Sequence, residues 1–153
     1  MSISLIWIGK TKPDYIQKGI SEYLKRLQSY TKIDIITVRE VSLSSCENIE
    51  QVKEKEAYRL EKHIDKKNFN IALDENGEEM TSLKFSEMIR DLQGKNISMF
   101  IGGVYGFDAS FLEQCDKIIS LSQMTMTHQM IRLVLLEQLY RGFTIINNKK
   151  YHY

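Results

Sequence analysis

A chain of 153 residues with one proline, 42% hydrophobic and 27% charged residues has the size of one globular domain, 1–153, able to bury roughly 68–70% of its unfolded surface. These proportions exclude a disordered, fibrous or collagen-like chain, and a net charge of +1 gives no global argument for nucleic acid. Charge is less even locally: residues 10 to 32 hold Lys10, Lys12, Lys18, Lys25, Arg26 and Lys32 against Asp14 and Glu22, an excess that suits a solvated helix face or a phosphate-facing patch.

The first element, "ISLIWIG" (3 to 9), is apolar over too short a run for a signal peptide or membrane span and has no basic leader, so it reads as a strand of a cytoplasmic protein. Pro13 suits the first turn of a helix in which Ile16, Ile20, Tyr23, Leu24 and Leu27 recur at helical spacing. A second strand, "IDIITV" (33 to 38), precedes a highly charged stretch, 47 to 67, where Val52, Tyr58, Leu60 and Ile64 mark the thin apolar stripe of a solvent-facing helix. His63 falls on that helix and reads as surface. "FNIALD" (69 to 74) is the third strand. Ser82 can cap the next helix, which runs to about Gln93 and stops at Gly94. "ISMFIGG" (97 to 103) and "KIISLS" (117 to 122) complete the strands. Several are apolar on both faces, as parallel strands covered by helices must be, so the chain is α/β with a largely parallel sheet flanked by helices. Cys46 and Cys115 form no CxxC pair, and neither a disulfide framework nor a zinc site is expected.

The last helix, 128 to 142, carries Met130, Ile131, Leu133, Val134, Leu135, Leu136, Leu139 and Tyr140 around nearly its whole circumference, the pattern of a buried helix. Glu137 and Arg141 stand four apart in the favourable order and can pair with each other. His128 and Arg132 share a face, where like charges repel, so one of them needs a polar partner elsewhere.

Ligands of open α/β sheets bind beyond the carboxyl ends of strands. Three such ends stand out: "ALDENG", "IGGVYGFD" and "LSQMTMTH". Gly102, Gly103 and Gly106 let backbone approach a ligand closely, although a tight turn alone would also want them. GGxxG is not GxGxxG, and Ser120 to Ser122 stand where a dinucleotide site wants an acid, so a Rossmann dehydrogenase is disfavoured. A flavodoxin-like phosphate loop is ranked low, because "GKTKPD" after the first strand has one glycine and no serine and threonine cluster. "SLSQMTMTH" follows its strand without ordinary turn residues and reads as a loop packed inside the protein, its backbone groups satisfied by a ligand.

The strings "IGGxxG" and "SLSxMTxxHQxxRLxLxEQLYRxxxIxxxxxYH", with the opening "IWIGKTKPDYIQKGISEYLKRL", resemble the SPOUT methyltransferases, and among them the RlmH family, over nearly the whole chain. Relatives often carry proline before the histidine, where Thr127 stands here. The resemblance implies a C-terminal trefoil knot, a rare departure from unknotted topology. It also implies S-adenosylmethionine held among Leu73, Ile101, Gly102, Gly103, Gly106, Leu121, Ser122, Gln123, Met124, Thr125 and Met126, with Met126 equally a packing group. The implied reaction is methylation of N3 of a pseudouridine in a stem-loop of bacterial 23S ribosomal RNA. The implied working form is a homodimer, each tail completing the site beside the other subunit's cofactor.

Such a transfer needs an aligned sulfonium, a nitrogen freed of its proton and stabilisation of the imide anion. Histidine titrates nearest neutral pH, which makes His152 the candidate for positioning or deprotonating the base. Tyr151 can stack on a nucleobase, worth about 1–3 kcal/mol, and Arg132 and Arg141 can hold phosphate or polarise carbonyls. Ordering the seven residues "NNKKYHY" costs roughly 7–14 kcal/mol of backbone entropy, so the tail is expected to be mobile until a partner subunit or RNA orders it. Near-neutral charge points to an assembled ribosomal surface rather than naked RNA, with 10 to 32 as a secondary contact. A SPOUT enzyme acting on transfer RNA and a non-catalytic RNA-binding α/β module are the alternatives.

Overall fold

A computed structural model describes residues 1–153. Five strands form one parallel sheet in the order β2-β1-β4-β3-β5: β1 is Ser2–Ile8, β2 Lys32–Val38, β3 Phe69–Glu79, β4 Ile97–Ile101 and β5 Lys117–Ser120. The helices are α1 Asp14–Leu27, α2 Ile49–Glu61, α3 Ser82–Asp91, the short α4 Ala109–Leu112 and α5 Met130–Ile146. The α/β architecture expected from the alternating runs is the one observed.

Both faces of the sheet are covered, which is why its strands are apolar on both sides. One core joins Ile3, Leu5, Trp7, Ile71, Met99 and Ile119 of the sheet to α1, α3 and α5 through Ile16, Ile20, Phe85, Ile89, Leu135 and Leu139. The other joins Ile6, Ile8, Ala72 and Phe100 to Ala57 and Leu60 of α2 and Phe111 of α4. Successive side chains on a strand alternate between these layers, and the register Trp7↔Ile101, Leu73↔Ile101 and Leu73↔Ile119 sets one row at the strands' carboxyl ends.

Several boundaries differ from expectation for local reasons. The charged helix is confined to Ile49–Glu61 and capped by Asn48, whose side chain accepts the Gln51 N–H at 2.8 Å. Thr81 rather than Ser82 caps α3, accepting the Lys84 N–H at 3.2 Å, while the Ser82 hydroxyl donates to Gln138 of α5 at 2.7 Å. The third strand does not end at residue 74: its chain bulges out over residues 74–77 and then rejoins β5, so that Leu73 and Glu78 both pair with Ile119. Gly77 permits this, because a Cβ there would lie 2.7 Å from the Ile119 carbonyl carbon. Conversely the strand expected over 117–122 ends at Ser120. Gly142 does not stop α5; it is buried where α5 crosses α3, its Cβ position 3.7 Å from the Ser86 Cα. The expectation that this helix is buried all round fails within one subunit, since Met130 and Val134 remain partly exposed and belong to neither core.

Candidate active site

The row of strand ends carries the first group of candidate residues. Leu73 and Ile101 are buried partners in register, and Gly102 and Gly103 follow β4 directly as buried backbone. A side chain is excluded there: a Cβ at Gly102 would sit 3.1 Å from the Gly106 carbonyl carbon, and one at Gly103 would sit 2.6 Å from Glu56 Oε1. The turn closes through the Gly106 N–H to the Gly103 carbonyl at 3.1 Å, with Gly106 at φ +79°, a conformation natural to glycine. A Cβ on Gly106 would project into open space, so ligand approach is free there. Leu121 leads from β5 into the third loop beside these two.

That loop is not packed inside the subunit as its sequence suggested. Gln123, Met124 and Thr125 are exposed, Met124 by 79%, while Leu121, Ser122 and Met126 are half-buried. The polar side chains explain this. Gln123 donates to Glu79 at 2.8 Å and Thr125 to Glu75 at 2.6 Å, tying the loop to the β3 bulge and to the strand just beyond it and leaving Met124 outward. Its own serines satisfy the backbone: Ser120 donates to the Ser122 carbonyl at 2.9 Å, and Ser122 Oγ accepts the Met124 N–H at 2.9 Å. Glu75 and Glu79 went unnoticed in the sequence because nothing signalled the bulge that presents them.

Just before α5, the Thr127 hydroxyl accepts the Met130 N–H at 3.1 Å and its carbonyl accepts the Ile131 N–H at 3.1 Å. Gln129 then clamps the loop after β1, accepting from the Lys12 N–H at 3.2 Å and donating to the Lys10 carbonyl at 3.0 Å. His128 lies beside it with its basicity lowered by burial and by Arg132. Arg132 is wholly buried, contrary to a substrate-facing role: it donates to the Ile8 carbonyl at 2.6 Å and Thr11 Oγ1 at 2.9 Å, with its guanidinium 4.9 Å from the Trp7 ring. Burial pulls it down to about 10. It is thus the polar fastening between α5 and the carboxyl end of β1.

The remaining catalytic candidates gather at the other end of α5. Phe143 stacks on Tyr30, just before β2 begins, so α5 runs from the carboxyl edge of the sheet towards its amino edge. Nine residues separate Arg132 from Arg141, about 13 Å along a helix. Asn148 at φ 53° ends α5, with the Lys149 N–H on the Thr144 carbonyl at 2.8 Å and the Asn148 N–H on that of Ile145 at 3.1 Å. This Schellman turn reverses the chain. Tyr151 returns to α5, its hydroxyl donating to Glu137 at 3.2 Å and 3.4 Å from that of Tyr23, and its ring edge-on to Tyr140 at 4.7 Å.

Arg141 closes the cluster. Its Nε donates to Glu137 at 3.0 Å, Nη1 to His152 Nδ1 at 3.2 Å, and the guanidinium lies 4.8 Å from the Tyr151 ring. The expected Glu137–Arg141 pair is present, but it also receives the tail. The tail is therefore ordered by its own subunit, against the expectation that only a partner or RNA would do so, because aromatic contacts and a carboxylate offset the entropy. Burial, then Tyr23 and Glu137, push the Tyr151 phenol upward, so it is a donor rather than a base. The basic stretch is likewise largely compensated: Lys12 pairs with Glu40, Lys18 with Asp14, Arg26 with Glu22 and Lys32 with Asp34.

A parallel sheet bearing a glycine turn, a bulge and a polar loop on three adjacent strand ends defines an α/β ligand-binding domain of the open-sheet kind. Comparison with known proteins narrows this. Residues 1–152 match the family model described as "Predicted SPOUT methyltransferase". Proteins called "Ribosomal RNA large subunit methyltransferase H" from Halothermothrix orenii and Geobacter sp. strain M21 are 46% and 42% identical, covering 99% and 100% of this chain and 99% of each relative. Among solved structures, that of a probable methylase family protein from Haemophilus influenzae Rd KW20 superposes with a TM-score of 0.58 at 14% identity, covering 99% of this chain and 70% of that one. The chain belongs to the SPOUT methyltransferase family.

Proposed function

We propose that the protein is an S-adenosylmethionine-dependent methyltransferase of large-subunit ribosomal RNA, acting on N3 of a pseudouridine in the 23S stem-loop as a cytoplasmic homodimer on the assembled ribosome. The observation that carries this is the row of Leu73, Ile101 and Ile119, with Gly102, Gly103 and Gly106 on one flank and Leu121 to Met126 on the other. These residues suit the cofactor: buried apolar groups for its adenine, two glycines where a side chain would collide, and open space over Gly106. When bound, S-adenosylmethionine supplies a sulfonium-activated methyl group. The trefoil knot belongs to the same proposal, as the path by which the loop after β5 and α5 would be held against the glycine turn.

The chain's own groups indicate how substrate is handled. An arginine N–H can only donate, so His152 Nδ1 accepts from Arg141 and the proton of the neutral ring sits on Nε2. His152 Nε2–H can then donate to a carbonyl oxygen of the pyrimidine, positioning the base and holding its imide anion once N3 has lost its proton to solvent. Arg141, already neutralised in part by Glu137, adds positive charge beside that oxygen. Tyr151 offers a face for stacking once it leaves Tyr140.

The distance along α5 between this cluster and the carboxyl edge supports a site shared between two copies, the tail of one meeting the glycine turn of the other. Deletion of Tyr151 to Tyr153 tests the assignment. S-adenosylmethionine binding, read by calorimetry, should persist while methyl transfer to ribosomes collapses; unchanged turnover would overturn the role of the tail, and absence of cofactor binding by the intact protein would overturn the enzyme assignment.

A further inference from the structure

Glu56 is an acid in a place that packing does not explain. It stands on α2, across the sheet from α5, and is 4% exposed among Ala57, Leu60 and Ile8. Its Oε2 accepts the Val41 N–H at 3.1 Å, while Oε1 is buried with no hydrogen-bond partner. That orphaned oxygen lies against Gly103, 2.6 Å from where a Cβ would be, with Cδ and Oε2 both at 3.2 Å. A buried carboxyl with an unmet oxygen costs stability, and an apolar side chain would suit the second core better.

None of the charged groups around it supplies a partner. The Arg59 guanidinium turns to the carbonyls of Arg39 at 2.8 Å and Glu40 at 3.0 Å. Lys53 is 3.8 Å from Glu50, Glu40 is 3.8 Å from Lys12, and Asp108 accepts the Ser110 N–H at 3.2 Å. Burial makes Glu56 a weaker acid than an ordinary carboxylate, its pKa pushed up, with Glu40 reinforcing this and the Val41 hydrogen bond and Arg59 opposing it.

We propose that Glu56 is a positioning residue for the cofactor turn: its carboxyl group, anchored on Val41 and seated against Gly103, sets where the Gly102–Gly106 backbone stands at the end of β4. The inference rests on the assignment of that turn to S-adenosylmethionine. Gly103 is a glycine, on this account, because Glu56 occupies the space a side chain would need. The pair is thus a matched set, and the consequence is a coupling of defined sign between two contacting positions, one on α2 and one in the turn.

The test is a double-mutant cycle read by calorimetry with S-adenosylmethionine. Gly103→Ala and Glu56→Ala should each weaken binding, by about 10–100-fold if the turn moves by something near 1 Å. The double variant should bind more tightly than Gly103→Ala alone, because the vacated space accepts the new methyl group. Glu56→Gln keeps the shape and should stay within about threefold of the wild type, whereas Glu56→Asp, which withdraws the group by one methylene, should show the loss while keeping the fold. In steady state Glu56→Asp should raise KM for S-adenosylmethionine with kcat unchanged, a split that general loss of stability would not give. Wild-type affinity in folded Glu56→Asp, or additive losses in the double variant, would overturn the inference. Failure of the wild type to bind would overturn the cofactor assignment beneath it.

Discussion

Tyr151→Phe removes one oxygen from the returning tail and leaves its ring in place. The edge contact with Tyr140 at 4.7 Å and the Arg141 guanidinium at 4.8 Å survive, so the loss is confined to the hydroxyl's bond to Glu137 at 3.2 Å and its contact with Tyr23 at 3.4 Å. Hydrogen bonds to charged partners contribute about 1.5–3 kcal/mol. Both groups are half-buried, which places this one near the lower bound, about 1.5 kcal/mol, or roughly a tenfold rise in tail opening. Hydrogen exchange read by mass spectrometry checks it: amides of residues 149–153 should exchange about tenfold faster while those of β1 and β4 keep their protection. Unchanged exchange in the tail would refute the claim that Glu137 holds it down.

Other expected outcomes follow from single positions. Asn148→Gly should leave the tail docked and stability equal or slightly higher, whereas Asn148→Val, forced to φ 53°, should cost about 1–2 kcal/mol in chemical denaturation and loosen the tail as well. Gly77→Ala should destabilise by about 1–3 kcal/mol, because the new methyl group meets β5 backbone at 2.7 Å. Gly19→Ala meets only the Leu133 side chain, its two methyls at 2.7 and 2.9 Å, a half-buried group that can shift, so the gain of about 0.5–1 kcal/mol in helix preference should largely offset the contact and leave the melting temperature near that of the wild type. Because Glu56 is a weaker acid folded than unfolded, the native state binds the extra proton and stability falls as pH rises through the interval above the ordinary glutamate value of about 4.3. Glu56→Gln abolishes that slope, so its stability relative to the wild type should grow from pH 4 to pH 8 in urea titrations.

The layered fold was legible because both-face burial leaves an unmistakable mark: Leu5 to Ile8 and Met99 to Ile101 are apolar without alternation. Helix positions were legible from spacing, as with Ile16, Ile20 and Leu27. What escaped was set by contacts distant in sequence. The bulge of β3 depends on Gly77 meeting Ile119, and the polar string "DENGEE" carries no strand signal. Arg132 looked available for substrate, since only the fold brings the Ile8 carbonyl to it. The tail looked loose because its anchor, Glu137, already had an evident partner in Arg141. The one local clue was the asparagine pair at 147 and 148, a helix-ending signature whose left-handed turn sends Tyr151 backwards. Glu56 gave no signal at all among the charges of its helix.

The proposed activity is tested most directly by mapping methyl groups on ribosomal RNA, by mass spectrometry, from cells with the gene intact and with it deleted. The account predicts that one methyl group on a 23S stem-loop pseudouridine disappears on deletion and returns when purified protein and S-adenosylmethionine are added to ribosomes from the deleted strain. Identical methylation maps, or a methyl group lost from transfer RNA instead, would contradict it.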